Sequence, residues 1–215
     1  MGKLSLQLVE TDLQINKKIR DIVIKEVDKI LNTTANKTTS PIRNLIKEKL
    51  MEQPEVRSLD GGILAAEFGL PDGGRRIEDI INFWVSNIIV SKKKATASGG
   101  RISAGLTIKM IQSDFQDVLG LPSATITTEK GQELPWLEWL LMFGDRVIVR
   151  DYTIFFGGNR RSRSGSAVMI RSNSKGWRVP SAFSGTIENN FVTRALEDIE
   201  DDIADIFQKQ ITRLI

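Results

Sequence analysis

Three arginines fall within four positions, Arg160, Arg161 and Arg163, in the stretch NRRSRSGS. A guanidinium donates in pairs to phosphate or carboxylate oxygens. The glycine and serine neighbours place the three on a loop. Two partners suit them, a nucleic-acid backbone or the acids of an adjacent subunit, and a solvated loop tip accounts for the same residues. No aromatic side chain is interleaved for stacking on single strands. No GxxxxGK[ST] or GxGxxG pattern marks a phosphate cradle. Lys92, Lys93 and Lys94, beside ATASGG, form a second basic cluster, read as a hinge-like basic loop. Arg75 and Arg76 follow Gly73 and Gly74 into a helix start, where positive charge opposes the dipole and hints at an outside acidic partner.

Acidic chemistry is harder to build. Glu197, Asp198, Glu200, Asp201, Asp202 and Asp205 lack the central glycine and terminal glutamate of a calcium loop and read as a solvated helix face. Glu138 stands alone between Trp136 and Trp139, without the second carboxylate of a glycosidase pair. The chain contains neither histidine nor cysteine. This removes the commonest general base, thiol nucleophiles, disulfides and histidine or thiolate metal sites. Only carboxylate chemistry stays open, so the expectation is a protein that is not an enzyme and needs no cofactor. Of the tryptophans, Trp84, Trp136, Trp139 and Trp177, the last lies in the loop-like KGWRVP and is the best candidate for an intersubunit anchor.

These residues sit in a chain of 215 residues with 40% apolar and 27% charged side chains, a globular composition. No apolar run reaches the roughly 18–20 residues of a membrane span, and none of the N-terminal residues forms a secretory pattern. The net charge of +3 is unevenly spread: residues 92–178 carry 14 basic and 7 acidic groups, residues 186–215 carry 3 and 7. A basic middle beside an acidic tail fits subunits that attract one another, or a basic surface near nucleic acid; two solvated faces would look the same.

The elements that position these groups follow from periodicity. Leu13, Ile19, Ile22, Val23, Val27, Ile30 and Leu31 recur at helical spacing, with Thr11 or Asp12 as cap. Residues 32–40, NTTANKTTS, read as a polar linker, and Ser40-Pro41 as the start of a second helix. Short helices over Ile63 to Phe68 and 77–89 follow. Strands are expected over Ile102 to Gln112, Ala124 to Thr128, Arg146 to Phe156 and Ser166 to Arg171, with a turn at Glu129-Lys130-Gly131. Leu134 to Phe143 reads as a helix, and Thr186 onward as one helix of about seven turns. The predicted class is α+β: a small antiparallel β-sheet with a long hairpin, flanked by N-terminal helices and a long C-terminal helix. The predicted division is 1–53 helical, 54–185 an α+β core with the arginine loop at 157–165, and 186–215 a helix packed on the core or a neighbour.

The stretches GLTIKMIQSDFQDVLGLPSATITTEKG, ELPWLEWLLMFGDRVIVRDYTIFFGG, RSRSGSAVMI and GWRVPSAFSGTIENNFVTRAL resemble the neck proteins of tailed bacteriophages, the tail-completion and head–tail joining family. The resemblance covers roughly residues 54–200. It implies a helix-flanked β-sheet, no catalytic motif, and a virion role made in the host bacterial cytoplasm. There the chain would form a homo-oligomeric ring, with connector and tail proteins as partners and packaged DNA passing through. A ring interface is heterologous, and an acidic helix facing a basic surface would serve it. Arg160, Arg161 and Arg163 would then clamp a neighbouring protein or face the channel. The clamp is favoured, because a channel that lets DNA slide should avoid many counterion-releasing contacts. The alternative role is a nucleic-acid-binding accessory protein that uses the basic region 92–178.

Overall fold

The computed structural model describes residues 11–110, 115–128, 131–144, 146–158, 160–173, 176–197 and 199–214. Glu129 and Lys130 of the expected turn, Asn159 of the arginine loop and Asp198 of the acidic set lie outside them. The chain divides into two compact units: Met1–Thr39, Ile89–Lys109 and Ala204–Ile215 form one, and Ser40–Ile88 and Met110–Ile203 the other.

The first helix, α1, runs Asp12–Met51 and replaces the expected helix, linker and second helix. It starts at a capping box. Thr11 Oγ1 accepts from the Gln14 backbone N–H (3.4 Å), and the Thr11 N–H donates to Gln14 Oε1 (3.0 Å). The polar stretch stays helical because its threonines bond backwards. Thr38 Oγ1 donates to the Thr34 carbonyl (2.7 Å) and Thr39 Oγ1 to that of Ala35 (2.9 Å). Thr34, Ala35 and Thr38 are small enough to be buried. Bonded in this way, the Thr38 and Thr39 hydroxyls no longer compete with the helix for backbone groups. Pro41 lies inside α1, so its position does not mark a helix start.

In the first unit, β1 (Ile89–Ser98) pairs antiparallel with β2 (Arg101–Lys109). The basic loop expected at 91–100 is therefore a strand ending in a Gly99-Gly100 turn, where both glycines have positive φ. The hairpin is tied to α1 by Asp28, whose carboxylate accepts from the Ala95 backbone N–H (3.0 Å) and pairs with Lys92 (3.6 Å).

The second unit holds the main core. From α1 it takes Ile42, Ile46 and Leu50, each at most 1% exposed. Three further helices follow: α2 (Pro54–Leu59), α3 (Ile63–Phe68) and α4 (Gly73–Ser86). Leu59, Leu64, Ile77, Ile80 and Trp84 of these helices are fully buried, and each such side chain contributes roughly 1.5–3 kcal/mol. Arg76 turns back to Asp72 (Nε to Oδ1, 2.7 Å) and to the Thr125 carbonyl (2.9 Å). The acceptor inferred for it is thus within the chain.

Beyond α5 (Gln116–Leu119) and a short 3₁₀ turn lie β3 (Ile126–Thr127), paired antiparallel with β4 (Glu133–Leu134). Then come α6 (Trp136–Met142) and the hairpin of β5 (Tyr152–Phe156) with β6 (Ala167–Arg171). The expected strand from 146 is shorter. Ahead of β5 there is only a bridge from Val149 to Trp177, because Asp151 takes a left-handed φ of 60° and breaks the extended run.

The expected C-terminal helix is two: α7 (Phe191–Ala195) and α8 (Glu200–Thr212). Asn190 starts α7 through a reciprocal capping box with Thr193. The class is α+β as read: eight helices and three small antiparallel sheets among the described residues.

Candidate functional site

A concavity of about 310 Å³ in the second unit opens between the end of α3, the indole of Trp139 on α6, the β5–β6 hairpin and the arginine loop. Its floor is aromatic. Phe68 meets Trp177 edge-on with ring centroids 5.8 Å apart, and Trp139 meets Trp177 at 5.9 Å. Such offset and edge contacts favour the quadrupoles and fix the rings. Trp177 is only 6% exposed. The expected intersubunit anchor is therefore part of this chain's own core. The Val149–Trp177 bridge holds it there, with the Trp177 N–H donating to the Val149 carbonyl (2.7 Å).

One carboxyl faces this floor. Glu67, on the last turn of α3, lines the cleft and accepts from Trp177 Nε1 at 2.9 Å. Burial pushes its pKa above the ordinary carboxylate value, and the indole N–H offsets only part of that. A charged residue in the apolar ILAAEF was the available sign of this group, but it reads equally as the outer face of a short helix.

The arginine loop folds over the rim. Ser162 Oγ accepts from the Ala167 N–H (3.3 Å) and lies 3.3 Å from Ser164 Oγ. Arg163 donates through Nη2 to the Phe68 carbonyl at the end of α3 (3.3 Å), where helix carbonyls attract positive charge. Gly69 makes this approach possible. Its φ is +65°, and a Cβ there would sit 2.9 Å from Arg163 Nη2. Arg161 and Arg163 line the cleft, whereas Arg160 is exposed and outside the lining set. Lys92, Lys93 and Lys94 belong to β1 in the first unit.

Elsewhere in the second unit a buried ion pair ties α7 to α2. Arg194 donates to Glu55 and to Asn189 Oδ1. Burial raises the Glu55 pKa despite the guanidinium, because desolvation outweighs the attraction. The pair is structural, since Glu55 is 1% exposed. Glu138 on α6 contributes to no cluster: among the described residues no three acids, histidines or cysteines group as a metal site. No described helix is long and apolar enough to cross a membrane.

A single half-buried carboxyl, two arginines and an aromatic floor line this cleft. They do not supply a nucleophile with its base. No family model, no curated protein and no solved structure matches the chain.

Proposed function

We propose that the chain is a structural protein of a tailed-bacteriophage virion, part of the neck or tail terminus that joins head to tail around the DNA channel. It would act as a homo-oligomeric ring among connector and tail proteins. The sequence resemblance supplies the context, and one structural observation carries the assembly reading. Ile19, Ile22 and Val23 of α1 share one face of the helix and are 54%, 66% and 40% exposed. An apolar stripe on a helix is normally covered, and most helical stability comes from that packing. This stripe lies away from Asp28, to which the β1–β2 hairpin is tied, and the described residues leave it exposed.

A second apolar patch points the same way. Phe155 and Phe156 on β5 are more than half exposed, beside the cleft and its arginines. Aromatic and arginine side chains together are the usual anchors of protein interfaces. The rim arginines then serve the clamp, taking carboxylates of a neighbouring virion protein.

Native mass measurement of the purified chain, with cryo-electron microscopy of the parent particle, tests this reading. A ring at the head–tail junction is the expected result. A stable monomer that is absent from particles would overturn it.

A further inference from the structure

The β1–β2 hairpin carries charge of one sign only. Residues 89–109 contain five cations, Lys92, Lys93, Lys94, Arg101 and Lys109, and no acid. The strand register sorts four of them onto faces, and Lys94 lies at the register shift between Lys93 and Thr96. Cross-strand partners share a face, and side chains alternate between faces. One face carries the pairs Ile89–Lys109, Ser91–Thr107, Lys93–Gly105, Thr96–Ser103 and Ser98–Arg101. The opposite face holds Val90 and Ala95, both buried, and Lys92, which pairs with Asp28. That face is turned to α1.

The outward face therefore consists of hydroxyls and three cations, with Ile89 at one end. Lys93, Arg101, Lys109, Thr96, Ser98, Ser103 and Thr107 are all exposed. The register shift between Lys93 and Thr96 keeps both strands presenting small polar groups outward. From Lys109 to Arg101 the ribbon extends about 26 Å at 3.3 Å per residue, most of one turn of duplex DNA (about 34 Å). Lys93, opposite Gly105, sits midway.

From this face we infer that the β1–β2 hairpin is a contact for the phosphate backbone of duplex DNA, made through Lys93, Arg101 and Lys109 with the flanking serine and threonine hydroxyls. Hydroxyls and cations are the donors that phosphate oxygens take. No carboxylate is present to repel phosphate, and no aromatic is present to stack on bases, so the contact is to the backbone and independent of sequence. Three cations per subunit form a weak, salt-labile contact that leaves DNA free to slide. The contact deepens the proposed neck role, which brings the duplex past the ring, and it places the DNA-facing charge on this hairpin and not on the arginine loop.

The test is a salt titration of full-length protein binding to a mixed-sequence duplex, read by fluorescence anisotropy. The expected slope of log K against log salt is about −2.7 per bound subunit, from about 0.9 per phosphate neutralised. Each of Lys93→Gln, Arg101→Gln and Lys109→Gln should reduce it by about 1. Lys92→Gln, on the face turned to α1, should leave the slope unchanged. Exposed positions such as these keep the fold intact, which thermal melting checks.

No duplex binding at low salt would overturn the inference. So would normal binding by the triple variant, or loss of binding on changing Arg160, Arg161 and Arg163 instead. A triple variant that binds DNA normally but no longer self-associates would reassign the hairpin to the acidic helix of a second copy, and the inference would fail. Native mass of the same samples reads ring formation separately. A protein that forms rings without binding DNA keeps the neck role and loses this inference. One that binds DNA through the hairpin without forming rings does the reverse.

Discussion

Trp177 Nε1 donates to Glu67 Oε2 over 2.9 Å, joining residues 110 positions apart in the chain. The bond closes the floor of the cleft and satisfies both groups at once. Trp177→Phe keeps most of the ring volume but leaves the Glu67 carboxyl without its donor. The expected loss is about 1–3 kcal/mol, read as a lower urea midpoint. An unchanged midpoint would show that the bond contributes nothing.

The same carboxyl sets a pH dependence. Burial raises the Glu67 pKa above 4.5, so the folded chain binds this proton more tightly than the unfolded chain does. The stability this contributes is present in full below the unfolded value and is lost as pH rises through the folded one. Glu67→Gln does not titrate and still accepts from Trp177. Stability of the wild type minus that of the variant should therefore fall as pH rises from about 4 to about 8. A flat difference across that range would contradict the assignment.

Arg194 compensates the fully buried carboxylate of Glu55. Arg194→Met should cost about 3–5 kcal/mol by leaving Glu55 buried and unpaired. Adding Glu55→Leu should recover much of the loss. The single-variant cost should also shrink in acid, where Glu55 takes up a proton and its raised pKa favours the neutral form. Equal instability of the single and double variants would argue against charge burial as the cause.

Ile19 and Ile22 report on assembly and not on folding. The pair Ile19→Asp and Ile22→Asp lies on an exposed face, so monomer stability should change by no more than about 0.5 kcal/mol. Ring formation should be lost in native mass spectra. Rings that survive the change would move the subunit contact to another surface.

Much of the fold was legible where period and burial agree. Ile77, Ile80, Ile81 and Trp84 recur at helical spacing and are all buried on α4. The β5–β6 hairpin showed in its alternation and glycine-rich connection. Residues 32–40 misled because threonine and asparagine favour caps and turns, while the back-bonds at Thr38, buried, and Thr39, half-buried, depend on what packs over them. SKKKATASGG looked like a hinge because lysine and small residues are poor strand formers in isolation. Its strand is set by pairing with β2, which the local sequence does not encode. The C-terminal stripe continued through a break, since apolar spacing persists across Leu196 and Ile199 while α7 ends at Ala195 and α8 begins at Glu200.

For the candidate site, the arginines were visible and their setting was not. Arg161 and Arg163 were readable as a cluster, but Glu67 lies far away in sequence, and only the tertiary fold puts it beneath them. Trp177 looked exposed because its neighbours are polar, yet the Val149 bridge and the Phe68 ring enclose it. The lysine triplet was readable as charge, while its division between two faces of a ribbon required the register.

Each of the three sheets has only two strands, so every described strand has one side without a sheet neighbour. Open edges invite a second chain to add a strand, and a protein accumulating in a crowded cell before its partners arrive would be prone to clumping. Lysines on an edge are a known deterrent, because pairing would bring their charges together. Lys92, Lys93 and Lys94 occupy the middle of the longest strand. Neutralising all three should shorten the time the stored protein stays clear at high concentration, even where its melting temperature is unchanged.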